Sequence, residues 1–85
     1  MEEASAWYEG QREGLGKEFL VAVGEALETI AKHPDFGIVV HHRLRRANVR
    51  RFPYGVFYLV EGARIVVVGV LHGRRAFRVW KSRSE

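Results

Sequence analysis

The sequence RIVVVGVLHGRR, residues 64–75, decides how the rest of the chain can be arranged. It contains the longest apolar run of the chain, it is rich in β-branched residues, and glycines bound it on both sides. These features predict a central strand over residues 64–71 that is buried on both faces. Because the run ends in charge, the strand would bring His72, Arg74 and Arg75 to one edge of the sheet, where we first look for a functional site.

The residues before this strand predict two helices. A short helix is expected over residues 3–11, where apolar side chains recur at helical spacing. A second helix is expected over residues 15–33, since apolar side chains recur every three or four residues until Pro34 ends the pattern. Its length of about 28 Å would let it lie along the whole 64–71 strand. We interpret residues 34–43 as a loop.

The remaining residues predict two more strands that precede the long one. One strand is expected over residues 44–52, followed by a turn over residues 53–55. The next strand, residues 56–60, is apolar on both faces, and residues 61–63 form a tight hairpin turn. The predicted fold is therefore α+β, a single domain over residues 1–85 with two N-terminal helices packed on an antiparallel β-meander of three strands.

The composition excludes several classes of protein. The chain has no cysteine, so it has neither a disulfide nor a thiolate metal site. Its apolar runs are too short to span a bilayer, and acids stand at the N-terminus where a signal peptide would carry bases. We expect a cytoplasmic protein. No phosphate-binding glycine loop is present, and the adjacent His41 and His42 should point to opposite faces of a strand, so we expect no metal and no cofactor.

Charge is distributed unevenly along the chain, whose formal net charge is +4. Residues 1–40 contain three bases and eight acids, whereas residues 41–85 contain eleven bases and two acids. This asymmetry favours a polyanion or an acidic protein as the partner of the second half. The alternative is that an acidic helical layer neutralises a basic sheet within the same molecule.

Five of the arginines fall within residues 43–51. Strand alternation divides them between two faces, so not all of them can contact one ligand. They fit a basic face that follows a phosphate backbone, and they equally fit a charged edge strand that resists aggregation. The candidate basic face consists of Arg45, Arg46, Arg50 and Arg51.

A second candidate site lies at the end of the long strand. Metal-free RNA cleavage needs a group that accepts the 2′-hydroxyl proton and a cation that stabilises the phosphorane, and His72 and Arg74 could supply them. The same residues also fit an ordinary basic surface. Tyr8 and Tyr58 are candidate hydroxyl donors, but their spacing predicts that both pack in the core.

Several short sequences occur together in this chain. They are AWYE at residues 6–9 with Gln11, GLG at 14–16 with Phe19, Pro34, RRFPY at 50–54 with Tyr58, and VLHGRR at 70–75. In this combination the chain closely resembles the RelE/ParE superfamily of toxins from bacterial type II toxin–antitoxin systems, which includes many plasmid stabilisation proteins. The resemblance covers nearly the whole chain.

The resemblance implies a cytoplasmic toxin that a cognate antitoxin holds inactive. The antitoxin would wrap the toxin with a helix and an extended piece of its partly disordered C-terminal segment, and acidic, apolar-anchored segments would suit the basic half of this chain. Two activities occur in the superfamily. RelE-like members cut mRNA on the ribosome, and ParE-like members inhibit DNA gyrase.

Four positions bear on the choice between these activities. RelE-like nucleases usually have an arginine just after the aromatic residue that begins the second meander strand, and this chain has Gly55 there. They also tend to have a tyrosine near the C-terminus, where this chain has Trp80. Arg74 matches a nuclease arginine. Ala76 departs from the ParE-like relatives, which often have an acid after the paired arginines.

The loss of two parts of the nuclease site, at Gly55 and Trp80, favours a ParE-like growth inhibitor that binds DNA gyrase without catalysing a reaction. Its target-binding residues would be Arg74, Arg75, Arg78 and Trp80. One alternative is a RelE-like, ribosome-dependent endoribonuclease, in which Arg74 stabilises the phosphate and His72 or a strand arginine assists. Another alternative is an inactive orphan domain that only binds an antitoxin.

The resemblance also raises a structural expectation. Superfamily members normally begin with a strand that pairs into the sheet ahead of the first helix, but residues 1–3 of this chain lead directly into the predicted helix. Either the start is truncated or the fold does without that strand. A sheet edge would then be left unpaired. We expect an antitoxin strand, or a second copy of the chain in a homodimer, to occupy that edge.

Overall fold

Six elements follow one another along residues 2–73, the part of the chain that the computed structural model describes. They are α1 (Glu2–Gln11), α2 (Leu15–Lys32), β1 (Ile38–His41), β2 (Leu44–Asn48), β3 (Tyr54–Glu61) and β4 (Arg64–His72). The predicted α+β class with two N-terminal helices is confirmed. Neither of these two helices is both long enough and apolar enough to cross a membrane.

The sheet has four antiparallel strands in the order β1-β2-β3-β4, and not the three that we predicted. The additional strand is β1, which lies inside the segment that we interpreted as a loop. Ile38 pairs with Arg46 and Val39 with Arg45 before the chain reverses. The reversal contains no glycine. His42 instead adopts the left-handed conformation that the turn requires, with φ 51°. A histidine in that role gives little sequence indication of a tight turn.

The long strand β4 lies at an edge of the described sheet, so the expectation that it is central and buried on both faces was wrong. Its Val67 and Val68 are exposed. The central, doubly buried strand is β3, in which Val56, Phe57 and Tyr58 are all buried. A composition rich in apolar, β-branched residues therefore does not distinguish a buried strand from an edge strand.

Strand β2 ends at Asn48, earlier than predicted. The Val49 N–H donates a hydrogen bond to the Tyr54 carbonyl over 2.9 Å, so the chain turns between these two residues. Arg51, which we had placed within the strand, has φ 72°. A positive φ is incompatible with an extended strand, and for a residue with a Cβ it is uncommon.

One face of the sheet, here called the inner face, packs against α2. The helix covers mainly β2 and β3, the two middle strands, and not the whole of β4 as its length had suggested. Its buried apolar side chains recur at helical spacing, which explains why this segment folds as an amphipathic helix. The shared core consists of Phe19, Ala22, Val23, Ala26 and Ile30 from α2 and Ala47, Val49, Val56 and Tyr58 from the sheet region.

The opposite face of the sheet, here called the outer face, is turned away from the helices. Because side chains alternate along a strand, Phe57 lies on this face between the inward Val56 and Tyr58. Its register partner on β2 is Arg46, which therefore lies on the outer face as well. Phe57 is only 2% exposed, so the outer face also contains buried apolar surface.

The junction between the two helices depends on one carboxylate. Glu9 near the end of α1 accepts hydrogen bonds from the Gly14 and Gly16 N–H groups, at 2.9 and 3.0 Å. These amides belong to the first turn of α2, where backbone donors lack partners within the helix. Gly16 is buried against α1, and a Cβ there would lie 2.4 Å from the Ser5 carbonyl oxygen. The two helices can therefore approach closely only with glycine at this position.

The loop before β1 depends on Tyr58, whose ring is buried in the core as predicted. Its hydroxyl accepts a hydrogen bond from the Gly37 N–H over 2.8 Å and donates one to the Pro34 carbonyl over 2.9 Å. A Cβ at Gly37 would lie 2.4 Å from that hydroxyl oxygen. The tyrosine thus joins the sheet core to the segment that leads from α2 into β1.

Replacing Tyr58 by phenylalanine should lower the free energy of unfolding by about 1–3 kcal/mol, because the buried Gly37 N–H loses its acceptor. Denaturant unfolding followed by circular dichroism measures the change. Tyr54→Phe is the matched control, since the Tyr54 hydroxyl makes no hydrogen bond within residues 2–73. Equal losses in the two variants would contradict the proposed role of the Tyr58 hydroxyl.

Replacing Glu9 by alanine should lower the free energy of unfolding by about 0.5–2 kcal/mol, since two amides at the start of α2 lose their acceptor. Thermal unfolding is a suitable measurement. Glu13→Ala removes a neighbouring exposed carboxylate that makes no contact of this kind within the described residues, and it should shift the midpoint little. A shift as large as that of Glu9→Ala would show that the charge matters and the two hydrogen bonds do not.

Candidate functional site at the end of the sheet

Arg46 is a partly buried cation on the outer face. Its Cζ atom lies 5.8 Å from the centre of the Phe57 ring, within the range of a cation–π contact. Its Nε is buried and has no hydrogen-bond partner within residues 2–73. The contact with the ring therefore positions the guanidinium from one side, while no carboxylate in this range neutralises it.

Two glycines make room for the Arg46 side chain. A Cβ at Gly55 would lie 2.8 Å from Arg46 Nε, and a Cβ at Gly73 would lie 3.3 Å from Nη2 of the same side chain. The Gly73 N–H also donates a hydrogen bond to the Pro53 carbonyl over 2.9 Å, which holds the end of β4 beside the start of β3. The Arg46 guanidinium therefore fills the space that a side chain at residue 55 would otherwise occupy.

His72 lies on the other face of the sheet. It is paired across strands with Tyr54, and the two rings meet edge to face with their centres 5.4 Å apart. Tyr54 packs against the core beneath the helices, so strand alternation places His72 on the inner face and Arg46 on the outer face. The sheet itself separates the imidazole from this guanidinium.

Tyr8 belongs to an aromatic cluster on the inner side of the sheet end. Its ring centre lies 5.2 Å from that of Phe19 and 4.8 Å from that of Phe52. Desolvation by burial raises the pKa of the Tyr8 phenol above its usual value of 10.0, and the neighbouring Tyr54 phenol raises it further. Tyr8 is consequently a neutral phenol at physiological pH and cannot serve there as a general base.

The four residues of the candidate basic face do not share one surface. Arg45 lies on the inner side, where its Nη1 donates hydrogen bonds to the Gly37 carbonyl over 2.7 Å and to the Asp35 carbonyl over 3.3 Å. Arg46 lies on the outer face, and Arg50 lies in the turn between β2 and β3. Arg45 is thus engaged in holding the loop before β1.

Arg50 and Arg51 line a groove between the first half of α2 and the turn between β2 and β3. The groove encloses about 650 Å³. Its apolar lining includes Phe52 and Val21, and its charged lining includes the base Lys17 and the carboxylates of Glu18 and Glu25. A lining of mixed charge does not select an acidic segment over other ligands.

Other predicted residues fall elsewhere. Arg74, Arg75, Arg78 and Trp80 lie outside the described residues.

Within residues 2–73 no group of three or more metal-ligating side chains comes together. The rings of His41 and His42 meet edge to face with their centres 4.1 Å apart. They do not point apart as we expected, because His42 belongs to a turn and not to the strand.

Sequence reasoning missed two features of this region. Gly55 interrupts a strand that is otherwise rich in bulky residues, and such a glycine often marks a close approach of another group. That indication was available but was not connected to Arg46. The groove beside Arg51 had no comparable indication, because its lining comes from three segments that only the tertiary fold brings together.

The chain was also compared with known proteins. Residues 1–77 match the family described as "ParE toxin of type II toxin-antitoxin system, parDE". No curated protein and no solved structure matches the chain. The family match covers most of the 85 residues and confirms the resemblance to the RelE/ParE superfamily. The chain belongs to the ParE toxin family of type II toxin–antitoxin systems.

Proposed function

We propose that this toxin inhibits growth in the cytoplasm by binding DNA gyrase without catalysing a reaction, and that a cognate antitoxin neutralises it. Membership of the ParE toxin family implies an antitoxin partner. The gyrase target and the mode of neutralisation are our proposals.

The observation that carries the proposal is the contact between Arg46 and Gly55. A RelE-like nuclease would have an arginine at the position of Gly55, with its side chain available to substrate. Here a Cβ at that position would lie 2.8 Å from Arg46 Nε. A second arginine at residue 55 would therefore have to displace the Arg46 side chain from its place beside Phe57.

The position of His72 supports the same conclusion. General acid–base catalysis requires a proton-transfer group within hydrogen-bond reach of the reacting oxygen, on the same side as the stabilising cation. His72 lies with Tyr54 on the inner face, whereas Arg46 lies on the outer face. One bound phosphate could not contact both residues. The nuclease alternative would have to rely on Arg74, which stands beyond the described residues.

We assign target binding to the segment that follows β4, with Arg74, Arg75, Arg78 and Trp80 as contact residues. The supporting observation is the anchoring of Gly73, whose N–H is hydrogen-bonded to Pro53. Arginine and tryptophan are the residue types that most often dominate protein interfaces. The hydrogen bond of Gly73 fixes the point at which this segment leaves the sheet.

The antitoxin is expected to contact the basic half of the chain. We also propose that the free edge of β4 accepts a further strand, from the antitoxin or from a second copy of the toxin. Its outer backbone groups have no strand partner within residues 2–73. An apolar edge of nine residues that remained unpaired in solution would favour association.

The purified toxin should stop DNA supercoiling by gyrase and leave ribosome-bound mRNA intact when both reactions are assayed in parallel. A gel of plasmid topoisomers measures the first reaction, and primer extension on translated mRNA measures the second. Cleavage of mRNA at codon-sized intervals with normal supercoiling would instead identify a RelE-like endoribonuclease. Normal growth on overexpression, with both reactions unaffected, would identify an inactive orphan domain.

Replacing Arg74 and Arg75 together by alanine should raise the toxin concentration needed for half-inhibition of gyrase at least about tenfold, since hydrogen bonds from charged groups contribute about 1.5–3 kcal/mol each. Inhibition curves for purified proteins provide the measurement. The matched control is Lys32→Ala with Arg64→Ala, which removes the same charge from exposed sites elsewhere. Undiminished inhibition by the Arg74, Arg75 variant would refute the assigned contact surface.

A further inference from the structure

The groove beside α2 has two walls that carry opposite charges. The helix wall includes Glu18 and Glu25, and the turn between β2 and β3 supplies Arg50 and Arg51. The two glutamates and Val21 are spaced by three and four residues, so they form one stripe along the helix. All five side chains are exposed, Val21 by 55%. The groove thus has an acidic wall with an apolar residue between its carboxylates, and a basic wall opposite.

These charges do not neutralise one another within the molecule. Within residues 2–73 no ion pair crosses the groove, because the one that involves its lining joins Arg12 to Glu18 at the start of α2. Glu25, Arg50 and Arg51 make no ion pair in this range. Both walls therefore present charges that a partner molecule can pair with.

The basic wall stands on an ordered backbone. The Phe52 N–H donates a hydrogen bond to the Val49 carbonyl over 3.4 Å, and the Phe52 ring packs edge to face against Tyr8 with the ring centres 4.8 Å apart. Arg50 and Arg51 directly precede this anchor. Because the turn is already ordered, a partner can bind the two guanidinium groups without first having to order the backbone that carries them.

The pattern of charge restricts the kind of partner. A uniformly acidic peptide or a nucleic acid would pair with the arginines but would also lie against the carboxylates of the helix wall, where like charges repel. An uncharged ligand would leave both walls unpaired. The partner that fits has an acidic side and a basic side in the reverse order, and a second copy of the same groove has that order.

We infer that this groove is the interface of a symmetric homodimer of the toxin. A two-fold axis parallel to the groove sets the acidic wall of each copy against the basic wall of the other, so that each contact is made twice. Arg50 and Arg51 of one copy then pair with Glu25 and Glu18 of the other through the fork geometry that guanidinium and carboxylate groups share. The same approach covers Val21. No backbone pairing between strands is involved.

The size of the groove predicts a weak dimer. Thirteen residues line it, whereas a stable interface of standard size has about 20–30 residues on each side. Much of the attraction comes from exposed charges, which salt screens. The dimer should therefore form at high protein concentration and dissociate as the salt concentration rises.

Sedimentation equilibrium of the purified full chain measures the association directly. The average mass should rise towards twice that of the monomer as the protein concentration approaches the millimolar range, and added salt should raise the dissociation constant. In a mixture of isotope-labelled and unlabelled protein, nuclear Overhauser contacts should join Val21 of one copy to Pro53 of the other.

Reversing the charge of one wall at a time tests the pairing. Arg50→Glu with Arg51→Glu makes both walls acidic, and Glu18→Arg with Glu25→Arg makes both walls basic. Each variant alone should associate at least about tenfold more weakly than the native chain, since like charges then face each other. An equimolar mixture of the two variants should restore a dimer that contains one of each. This restoration requires both variants to be folded.

The matched control is Lys32→Glu with Arg64→Glu. It changes the net charge by the same amount as the reversal of Arg50 and Arg51, but at exposed sites that do not line the groove. This control should associate as the native chain does. A loss of association equal to that of the Arg50, Arg51 variant would attribute the effect to net charge and overturn the inference.

Three further outcomes would overturn the inference. They are a monomer that persists at millimolar concentration, a dimer that both wall variants retain, and a mixture of the two variants that does not associate. Binding of a hexaglutamate peptide in the groove of a chain that remains monomeric would show an acidic ligand in place of a second copy. The supercoiling assay is a separate measurement. A dimer with the expected charge dependence, together with uninhibited gyrase, would support this inference and refute the proposed target.

Discussion

The burial of β3 on both faces is the constraint on which the rest of the structure depends. On the inner face Val56 and Tyr58 pack beneath α2, and on the outer face Phe57 is covered from one side by the Arg46 guanidinium. Strand β3 lies between β2 and β4, and this central position helps to keep both of its apolar faces out of water. The alternation of its side chains fixes which residues face the helices and which face outward.

Much of this arrangement could be predicted from the sequence. The helices were recognisable because their apolar side chains recur at helical spacing, and β3 was recognisable as a strand with two apolar faces. The order of the strands was not predictable from composition, since β4 is as rich in β-branched residues as a central strand. Strand β1 was missed because its turn contains His42 and Arg43 in place of the glycine or asparagine that usually indicate a tight hairpin.

The candidate site shows a similar division between what was predictable and what was not. The combination of short motifs, with VLHGRR among them, could be recognised in the sequence and indicated the correct family. The separation of His72 from Arg46 depended on the register of the sheet, which the sequence did not specify. The roles of Arg45 and Arg46 also depended on register: adjacent arginines point to opposite faces, so one supports a loop while the other stacks on Phe57.

A toxin that binds its target and a toxin that cleaves it differ in stoichiometry. Titration of a fixed amount of purified gyrase with the toxin, with residual supercoiling activity as the readout, tests this difference most directly. The account predicts that inhibition rises in proportion to the toxin added and is complete near one toxin molecule per binding site on gyrase. Unchanged supercoiling, together with translation abolished at toxin concentrations far below those of ribosomes, would show turnover and would contradict it.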